Sequence, residues 1–401
     1  MPAHVKKLVI SLGIAQCISW GILFYAFAVL LLPMTQDLPL GQTQISFMAT
    51  LAALVAAFAS LPVGRRLDQG RHLRLMMSGS IIGALSCLLW SWAHSAIALY
   101  LAAIFMGLAQ ASTLYEPVFA FLLKYFPEDK QRHKAMMQVT LIGGLASTIF
   151  LPLTSLLVEA LGWRGAVQVL AFFLLFPSLI YWYWQKKTAI LPSEVNDVSP
   201  SMPSRSLQAL PLDARLILIT LLLIFLVNGI VHTTLTTHLP SALQSWGLSA
   251  FAASWAVGMM GAMQLVGRLF LPLYLEACQH RSLLFAPLSA LALILAIISF
   301  LTDHPLSWFL LALVGISSGL LTLLRPTVVS TLFDVQIFGR VNGLLAMVYQ
   351  LARAGGPVGG SWVVTSQGGY SSLFIILAGL LVFAALLSVT LRKSQGAKAL
   401  A

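Results

Sequence analysis

The chain has 401 residues, of which 59% are hydrophobic and only 9% are charged. A soluble domain has roughly 25% charged residues, so this composition excludes an ordinary soluble protein and predicts one with several membrane spans. A formal net charge of +11 is typical of some nucleic-acid-binding proteins. Here, however, the basic residues fall in short segments between apolar runs, where they orient the chain in the membrane. Nucleic-acid binding is therefore not expected.

Apolar runs long enough to cross a bilayer, about 20 residues each, recur along the whole chain. The first run, from Leu8 to Leu32, is too long for the apolar core of a cleaved signal peptide. We expect an all-α polytopic membrane protein with twelve transmembrane helices. These spans begin near Leu8, Ile45, Leu75, Ile97, Ala135, Ala166, Leu216, Ala250, Leu283, Leu306, Val341 and Ser372.

The segment 185–213, between the sixth and seventh spans, is rich in Ser and Pro and predicts a flexible linker. It divides the chain into an N-terminal six-helix bundle, 1–184, and a C-terminal six-helix bundle, 214–401. Nearly all Lys and Arg residues outside the spans fall in alternate connecting segments, which the positive-inside rule places in the cytoplasm. Both termini are therefore expected to be cytoplasmic, in the inner (plasma) membrane of a bacterium.

The two halves share short motifs at matching places, which indicates a degenerate internal repeat. Parallel repeats of six spans, with a substrate site near the membrane midplane, are typical of one large class of secondary transporters. The matching pairs are Trp20-Gly21-Ile22 with Asn228-Gly229-Ile230, Glu116-Pro117 with Arg325-Pro326, and Leu161-Gly162-Trp163 with Gly368-Gly369-Tyr370.

Glu116 stands within an otherwise uncharged apolar run, from Ile97 to Leu123. A carboxylate at that depth is costly unless it is paired, protonated or facing water, so a functional role is the default hypothesis. Arg325 holds the matching place in the second half. The two residues are predicted to form a proton-coupling or inner-gate pair, with a permanent structural ion pair as the alternative.

The connection between spans two and three reads Gly64-Arg65-Arg66-Leu67-Asp68-Gln69-Gly70-Arg71. It resembles the loop motif of the major facilitator superfamily in Gly64, Asp68, Gly70 and Arg71, although Gln69 stands where an arginine is usual. The resemblance implies two pseudo-symmetric six-helix bundles and transport by alternating access. Asp68 would lie near the positive N-terminal end of span three, and the glycines would permit close backbone approach.

Tyr25-Ala26-Phe27 in span one and Arg268 in span eight resemble the branch of monocarboxylate transporters and oxalate/formate antiporters. In that branch the span-eight arginine anchors the substrate carboxylate, which implies this role for Arg268. Gln264 stands where the eukaryotic members have an aspartate, and Val29 where they have a lysine. Anion binding is thus the better supported part of the resemblance. It also places four residues on spans that line the cavity or its gates, namely Trp20, Tyr25, Asn228 and Tyr349.

Arginine suits an anionic ligand because its guanidinium stays charged and binds a carboxylate through two hydrogen bonds. Two alternatives stay open: Arg268 could snorkel to the inner surface, and Arg353 could satisfy backbone carbonyls freed near Pro357. The predicted substrate-binding residues are Arg268, Arg353, Tyr25, Asn228 and Gln264.

The sequence thus predicts a monomeric secondary transporter that moves a small organic anion, a carboxylate, coupled to protons. Its expected partners are this substrate, protons and the lipid bilayer, and no metal or cofactor is expected. The alternative is a proton-driven exporter of a drug or of a metabolite such as a carboxylate siderophore. An enzyme would need clustered nucleophile, base or metal ligands, and the sequence shows none.

Overall fold

The computed structural model describes residues 3–68, 72–126, 128–188, 211–277, 283–300, 306–333 and 335–391, and all regular secondary structure in these ranges is helical. The elements are α1 (Ala3–Trp20), the π-helix π1 (Gly21–Tyr25), α2 (Ala26–Asp37), α3 (Gln42–Asp68), α4 (His72–Ser91), α5 (Ala96–Thr113), α6 (Tyr115–Tyr125), α7 (Asp129–Gly143), α8 (Ala146–Phe173), α9 (Leu175–Thr188), α10 (Leu212–Ser245), α11 (Ala250–Leu269), α12 (Leu271–Ala277), α13 (Phe285–Ile298), α14 (Leu306–Leu332), α15 (Val335–Ser366) and α16 (Tyr370–Val389).

These helices confirm the predicted all-α membrane architecture. In the described ranges, nine helical stretches are long and apolar enough to cross a membrane. One of them, Lys134–Lys187, contains the predicted spans five and six, because the chain turns within α8 at Gly162 (φ 68°, ψ 169°). The shorter apolar helix Phe285–Ile298 and α15 occupy the predicted spans nine and eleven. The arrangement is consistent with twelve spans.

The chain forms two compact units. The first unit comprises Met1–Leu191, Thr233–Ala262 and Ala354–Ser366, and the second comprises Pro192–His232, Met263–Arg353 and Gln367–Ala401. One end of each of α10, α11 and α15 therefore belongs to the same unit as the first six predicted spans. Most of the predicted linker 185–213 lies outside the described residues, so the domain boundary there stays a prediction.

The two larger of three hydrophobic clusters described in the first unit hold most of its N-terminal helices together. The larger one includes Ile22, Phe27 and Trp90, and the indole N–H of Trp90 donates to the sulfur of Met34 at 3.1 Å. The second cluster includes the buried residues Val118, Phe121 and Leu122 of α6. Since lipid is as apolar as these side chains, close packing rather than exclusion from water stabilises such clusters in a membrane.

Within the first unit, the ends of α11 and α15 contact α8 and α3 through small side chains. Thr148 Oγ1 donates to the carbonyl of Gly258 at 3.0 Å, and the hydroxyls of Ser46 and Ser361 lie 2.5 Å apart. Small residues let helix backbones approach closely, which is how membrane helices gain most of their packing energy. These contacts attach part of the second sequence half to the first unit.

Arg164, within α8, contacts the end of α2 and the connection between α4 and α5. Its Nη1 donates to the carbonyls of Ser91 and Ala93 at 2.9 Å each, and its Nη2 lies 3.2 Å from the carboxylate of Asp37. The guanidinium also lies 4.3 Å from the ring centroid of Trp163. The turn between α4 and α5 is short, since α4 ends at Ser91 and α5 begins at Ala96.

Candidate functional site

The first predicted span contains an irregularity that the hydropathy pattern does not reveal. The π-helix π1 interrupts it between α1 and α2, and π-turns are rare and frequently lie at functional sites. The carbonyl of Leu23 accepts a hydrogen bond from Gln110 Nε2 at 2.7 Å. Gly21 lies so close to Phe150 that an added Cβ would overlap its ring, so this turn is fixed against α8.

The fourth predicted span is also broken, between α5 and α6, at Leu114 (φ −74°, ψ −161°). Pro117 has no N–H and cannot donate to the carbonyl of Thr113, four residues earlier. Gln16 Nε2 donates to that carbonyl instead, at 2.6 Å. A side chain of α1 therefore supplies the hydrogen bond that the break in span four leaves missing.

The break gives Glu116 a local environment different from the middle of a helix. Glu116 lies in the first turn of α6 and is exposed. The positive end of a helix dipole stabilises a carboxylate in the first turn. Since Glu116 belongs to the first unit and Arg325 to the second, their pairing stays a prediction.

Five partly buried aromatic rings on α1, π1 and α6 form a continuous series, which we call the aromatic row. Its neighbouring ring centroids are separated by 5.0, 5.5, 5.1 and 5.4 Å. Trp20 and Tyr25 were predicted to line a cavity; the others escaped prediction because the ring contacts depend on the two interruptions. The row runs Tyr25, Phe24, Trp20, Tyr115, Phe119.

In the second unit, α11 and α14 approach so closely that only glycine fits at two positions. A Cβ on Gly267 would overlap the carbonyl oxygen of Ile316, and one on Gly319 would overlap that of Gln264. Backbone contact of this kind fixes the two helices against each other. It sets the position of Arg268, which follows Gly267 directly.

The helix α10 approaches α15 in a similar way at Gly229. A Cβ there would lie 2.8 Å from the carbonyl oxygen of Tyr349 and 2.9 Å from the Cβ of Ala352. Asn228, the neighbour of Gly229, is buried. Tyr349 is therefore held against α10 by its backbone.

Three arginines of the second unit, which we call the arginine cluster, interact with Tyr349. The guanidinium carbons of Arg325 and Arg353 lie 5.6 and 6.0 Å from the Tyr349 ring centroid, and Arg268 is also within electrostatic reach of this phenol. The Nε of Arg268 is buried and has no hydrogen-bond partner among the described residues. The geometry thus brings together Arg268 and Arg353, predicted to bind substrate, and Arg325, predicted for the gate.

Further polar side chains lie beside the arginine cluster. Arg353 Nη1 donates to Gln350 Oε1 at 2.9 Å, and His232 is within electrostatic reach of Arg268 and Arg353. In the second unit the acidic side chains that the structure describes are those of Asp213 and Glu276, and both are exposed. Gathering like charges is unfavourable, and a bound anion would offset that cost.

The loop motif between α3 and α4 is described only in part. Gly64 lies within α3 and Asp68 is the last residue of that helix, whereas Gly70 and Arg71 lie outside the described residues. The contacts implied by the motif therefore stay a prediction. Among the residues that were searched, no group of three or more His, Cys, Asp or Glu side chains is placed to hold a metal ion.

Comparison with known proteins identifies the family of this fold. The family model described as Major Facilitator Superfamily matches residues 12–301 and 221–400. The chain belongs to the major facilitator superfamily. The prediction that the chain is a member of this superfamily is confirmed. The chain is a polytopic membrane transporter rather than an enzyme.

Two sequence relatives differ in the substrate that their names state. Monocarboxylate transporter 13 of Rattus norvegicus is 25% identical over 360 residues, covering 87% of this chain and 80% of the relative. The purine ribonucleoside efflux pump NepI of Escherichia coli (strain UTI89 / UPEC) is 29% identical over 174 residues, covering 42% of this chain and 43% of the pump. The monocarboxylate relative thus matches far more of the chain.

Solved structures of other transporters share the fold at low identity. The nucleoside transporter NupG superposes with a TM-score of 0.74 and 16% identity, over 95% of this chain and 98% of its own. A bacterial homologue of the human lysosomal transporter Spinster, in an inward-facing and unoccupied conformation, gives 0.77 and 15%, over 97% of both chains. Both likenesses support the fold of this major facilitator transporter.

Proposed function

We propose that this transporter moves a small organic anion, a carboxylate, by alternating access and in symport with protons. The single observation that carries the proposal is the arginine cluster around Tyr349. Intramembrane charges are expensive and usually mark a substrate or ion pathway. Arg325 and Arg353 lie beside the Tyr349 ring and Arg268 interacts with its phenol, and such a group of cationic side chains favours an anion over a cationic substrate.

Arg268 is the residue that we assign to the carboxylate itself. Its helix is fixed by the backbone contact at Gly267, so the guanidinium is held in place before the substrate arrives. Its buried Nε has no hydrogen-bond partner among the described residues, and leaving such a donor unsatisfied is costly. A carboxylate oxygen would satisfy this donor and offset the charge.

Tyr349 organises the other two arginines. A guanidinium within about 6 Å of an aromatic ring is attracted to the ring face, so Tyr349 restrains both Arg325 and Arg353. Arg353 supplies a second positive contact for the anion. Asn228, Gln264 and Tyr25 are proposed as hydrogen-bonding contacts for the rest of the substrate.

Proton coupling is assigned to Glu116 and Arg325. A carboxylate beside an arginine stays ionised, whereas one that loses this partner in an apolar site binds a proton more readily. If the substrate attracts Arg325 away from Glu116, substrate binding and protonation become coupled. The same pair would close an inner gate when the substrate has left.

The assignment of Arg268 is tested by transport in proteoliposomes. We expect saturable uptake of a carboxylate, measured across mono-, di- and tricarboxylates with and without an imposed pH gradient. Arg268→Ala should weaken substrate affinity about 10- to 100-fold, because a hydrogen bond to a charged group contributes ~1.5–3 kcal/mol. Arg268→Lys should recover the charge but not the bidentate geometry.

Arg215→Ala is the matched control, because it removes the same charge from an exposed position near the start of α10. It should leave substrate affinity unchanged. Equal losses in Arg268→Ala and Arg215→Ala would show that overall charge, and not the arginine cluster, determines uptake. A wild-type protein that transports no anion from the panel contradicts the proposal.

The coupling role of Glu116 has a separate test. Glu116→Gln should abolish accumulation driven by a pH gradient while sparing counterflow, because counterflow needs no net proton movement. The double change Glu116→Arg with Arg325→Glu should recover part of the transport lost in each single variant. Accumulation that persists in Glu116→Gln would remove the proton role from this residue.

Nucleoside export is a second candidate function. The match to the purine ribonucleoside efflux pump favours it, and the aromatic row offers ring faces that suit a planar base. Export of a carboxylate metabolite, such as a siderophore, remains the other alternative. Loss of resistance or secretion in a deletion strain, with carboxylate uptake unchanged, would favour export.

A further inference from the structure

We infer that the aromatic row in the first unit is a second contact surface for the substrate, and that it binds a planar, conjugated ring. The inference rests on the proposed function, because it names the class of organic anion as an aromatic monocarboxylate. It concerns the rings of Tyr25, Phe24, Trp20, Tyr115 and Phe119, and not the arginine cluster.

The π-helix π1 determines which rings face the same way on the first span. In a regular α-helix a residue five positions after Trp20 would point well away from it, whereas the i→i+5 geometry of a π-turn brings Tyr25 toward the same side. The centroids of Phe24 and Tyr25 lie 5.0 Å apart, and those of Trp20 and Phe24 lie 5.5 Å apart. Trp20 and Phe24 lie four residues apart, as on one face of any helix, so the π-turn adds Tyr25 to this pair.

The other two rings of the row lie on α6, after the break. Tyr115 begins the new helix, and Phe119, four residues later, lies on the same face with its ring parallel to that of Tyr115 within 5°. Tyr115 also contacts Trp20, with centroids 5.1 Å apart, and so joins the two helices. All five rings are only partly buried, so ring surface stays accessible.

Backbone irregularities are costly in a membrane and are tolerated where they are enclosed by protein or line a water-filled cavity. Here two of them lie side by side, each with one carbonyl satisfied by a glutamine of the other span, Gln16 or Gln110. Interrupted helices are how several secondary transporters build substrate sites. Packing alone would not require them, because aliphatic side chains pack as well in a regular helix.

The chemistry of the row favours a conjugated ring over an aliphatic chain. Ring centroids at 5.0–5.5 Å are within the range in which aromatic pairs attract each other, and a ligand ring would pack against the accessible parts of these rings. Glu116 follows Tyr115 in the first turn of α6 and is exposed. The preferred ligand therefore carries a conjugated ring in addition to its carboxylate.

Phenylpyruvate and pyruvate form a matched pair of probes, because they share the same oxo-acid group and differ by one phenyl ring. Binding to the purified full-length protein should favour phenylpyruvate about tenfold, as expected when a ring is added to an aromatic site. Trp20→Leu and Tyr115→Leu should remove this preference without weakening pyruvate. Trp20→Phe and Tyr115→Phe should retain most of it, which separates ring contact from loss of fold.

Trp182→Leu is the control for tryptophan removal, since Trp182 lies on α9 and is 48% exposed. It should not change either affinity. Equal wild-type affinity for the two acids, or a phenylpyruvate preference that survives both leucine changes, would overturn the inference.

Failure of the proposed carboxylate function would give a different result from failure of the aromatic row. Arg268→Ala should weaken both acids by the same factor, whatever the row does. If wild-type protein binds neither acid, the carboxylate proposal fails, and inosine then tests the row as a ring-binding surface. Inosine binding that depends on Trp20 supports that surface, and inosine binding that is absent or unaffected by Trp20→Leu overturns it.

Discussion

The two sequence halves carry matching motifs, but the matching places differ in local structure. Trp20-Gly21-Ile22 lies at the start of the π-helix π1, whereas the matching segment Asn228-Gly229-Ile230 lies within the uninterrupted helix α10. The helix is broken before Glu116-Pro117, whereas α14 runs through Arg325-Pro326 without an interruption. The first half therefore has irregular backbone and aromatic rings at the places where the second half has regular helices and arginines.

The places that match in sequence therefore differ in both backbone geometry and side-chain chemistry. Irregular backbone must be satisfied by side chains from other helices, which the first half provides through glutamines. Regular helices can approach each other through glycine, which the second half does around the arginine cluster. Each arrangement predicts a different loss of thermal stability when it is disrupted.

The largest effect is expected where the second half depends on close helix approach. Gly319→Leu would place a side chain on the carbonyl of Gln264, and no rotamer can relieve an overlap at Cβ. Overpacking typically costs ~1–3 kcal/mol, and we expect this change to be at or above the upper value. Thermal unfolding in detergent measures the loss of stability.

Gly379→Leu is the matched control, because a Cβ at Gly379 would have no neighbour within 4 Å. It lies in α16 of the same unit, and its thermal unfolding should be close to wild type. Similar destabilisation by the two changes would mean that helix propensity, and not backbone contact between α11 and α14, explains the loss.

The next largest effect is expected at the broken span of the first half. Gln16→Leu leaves the carbonyl of Thr113 without its side-chain donor, and an unsatisfied buried group costs ~1–3 kcal/mol. Pro117→Ala supplies a backbone N–H, which reaches the same carbonyl once the helix becomes regular across Leu114. In the Gln16→Leu background it should therefore recover part of the lost thermal stability, as measured by a double-mutant cycle.

Gln131→Leu serves as the control for this cycle, because its amide contacts the exposed Glu128. It should change stability by less than ~0.5 kcal/mol. Additive effects of Gln16→Leu and Pro117→Ala would show that the two residues do not share the Thr113 carbonyl as proposed.

The smallest effects are expected at the loop where Leu161-Gly162-Trp163 matches Gly368-Gly369-Tyr370. Asp37→Asn keeps an acceptor for the indole of Trp163 and removes an ion pair with Arg164 that is partly exposed, so it should cost less than ~1 kcal/mol. Arg164→Ala should cost more, because two carbonyls lose their donor. Thermal unfolding at low and high salt separates the two contributions, since only the ion pair is screened.

The overall architecture could be predicted from the sequence because apolar runs and their charged connections report membrane spans directly. Arg268, Arg325 and Arg353 could be singled out for the same reason, since each is a charge in an apolar run. Their convergence on Tyr349 could not, because it depends on backbone contacts at Gly229, Gly267 and Gly319 that one sequence does not reveal.

The aromatic row shows a second limit of sequence reasoning. Proline is a residue that can interrupt a helix, so Pro117 is at least a local signal in span four. The π-turn at Gly21–Tyr25 has no comparable signal, because its residues are ordinary apolar residues. Phe24, Tyr115 and Phe119 therefore looked like packing residues. Their relation to Trp20 follows only when both irregular spans are placed side by side.

The contacts of Thr148 with Gly258 and of Ser46 with Ser361 have a consequence for the speed of a transport cycle. Hydroxyls that part can bond to water instead, so separating such surfaces changes their hydrogen-bond count little. A transporter turns over many times only if its end states are similar in free energy, because a strongly favoured state would hold most of the population. Contacts of this kind join α8 with α11 and α3 with α15, and exchanging them for bonds to water costs little free energy.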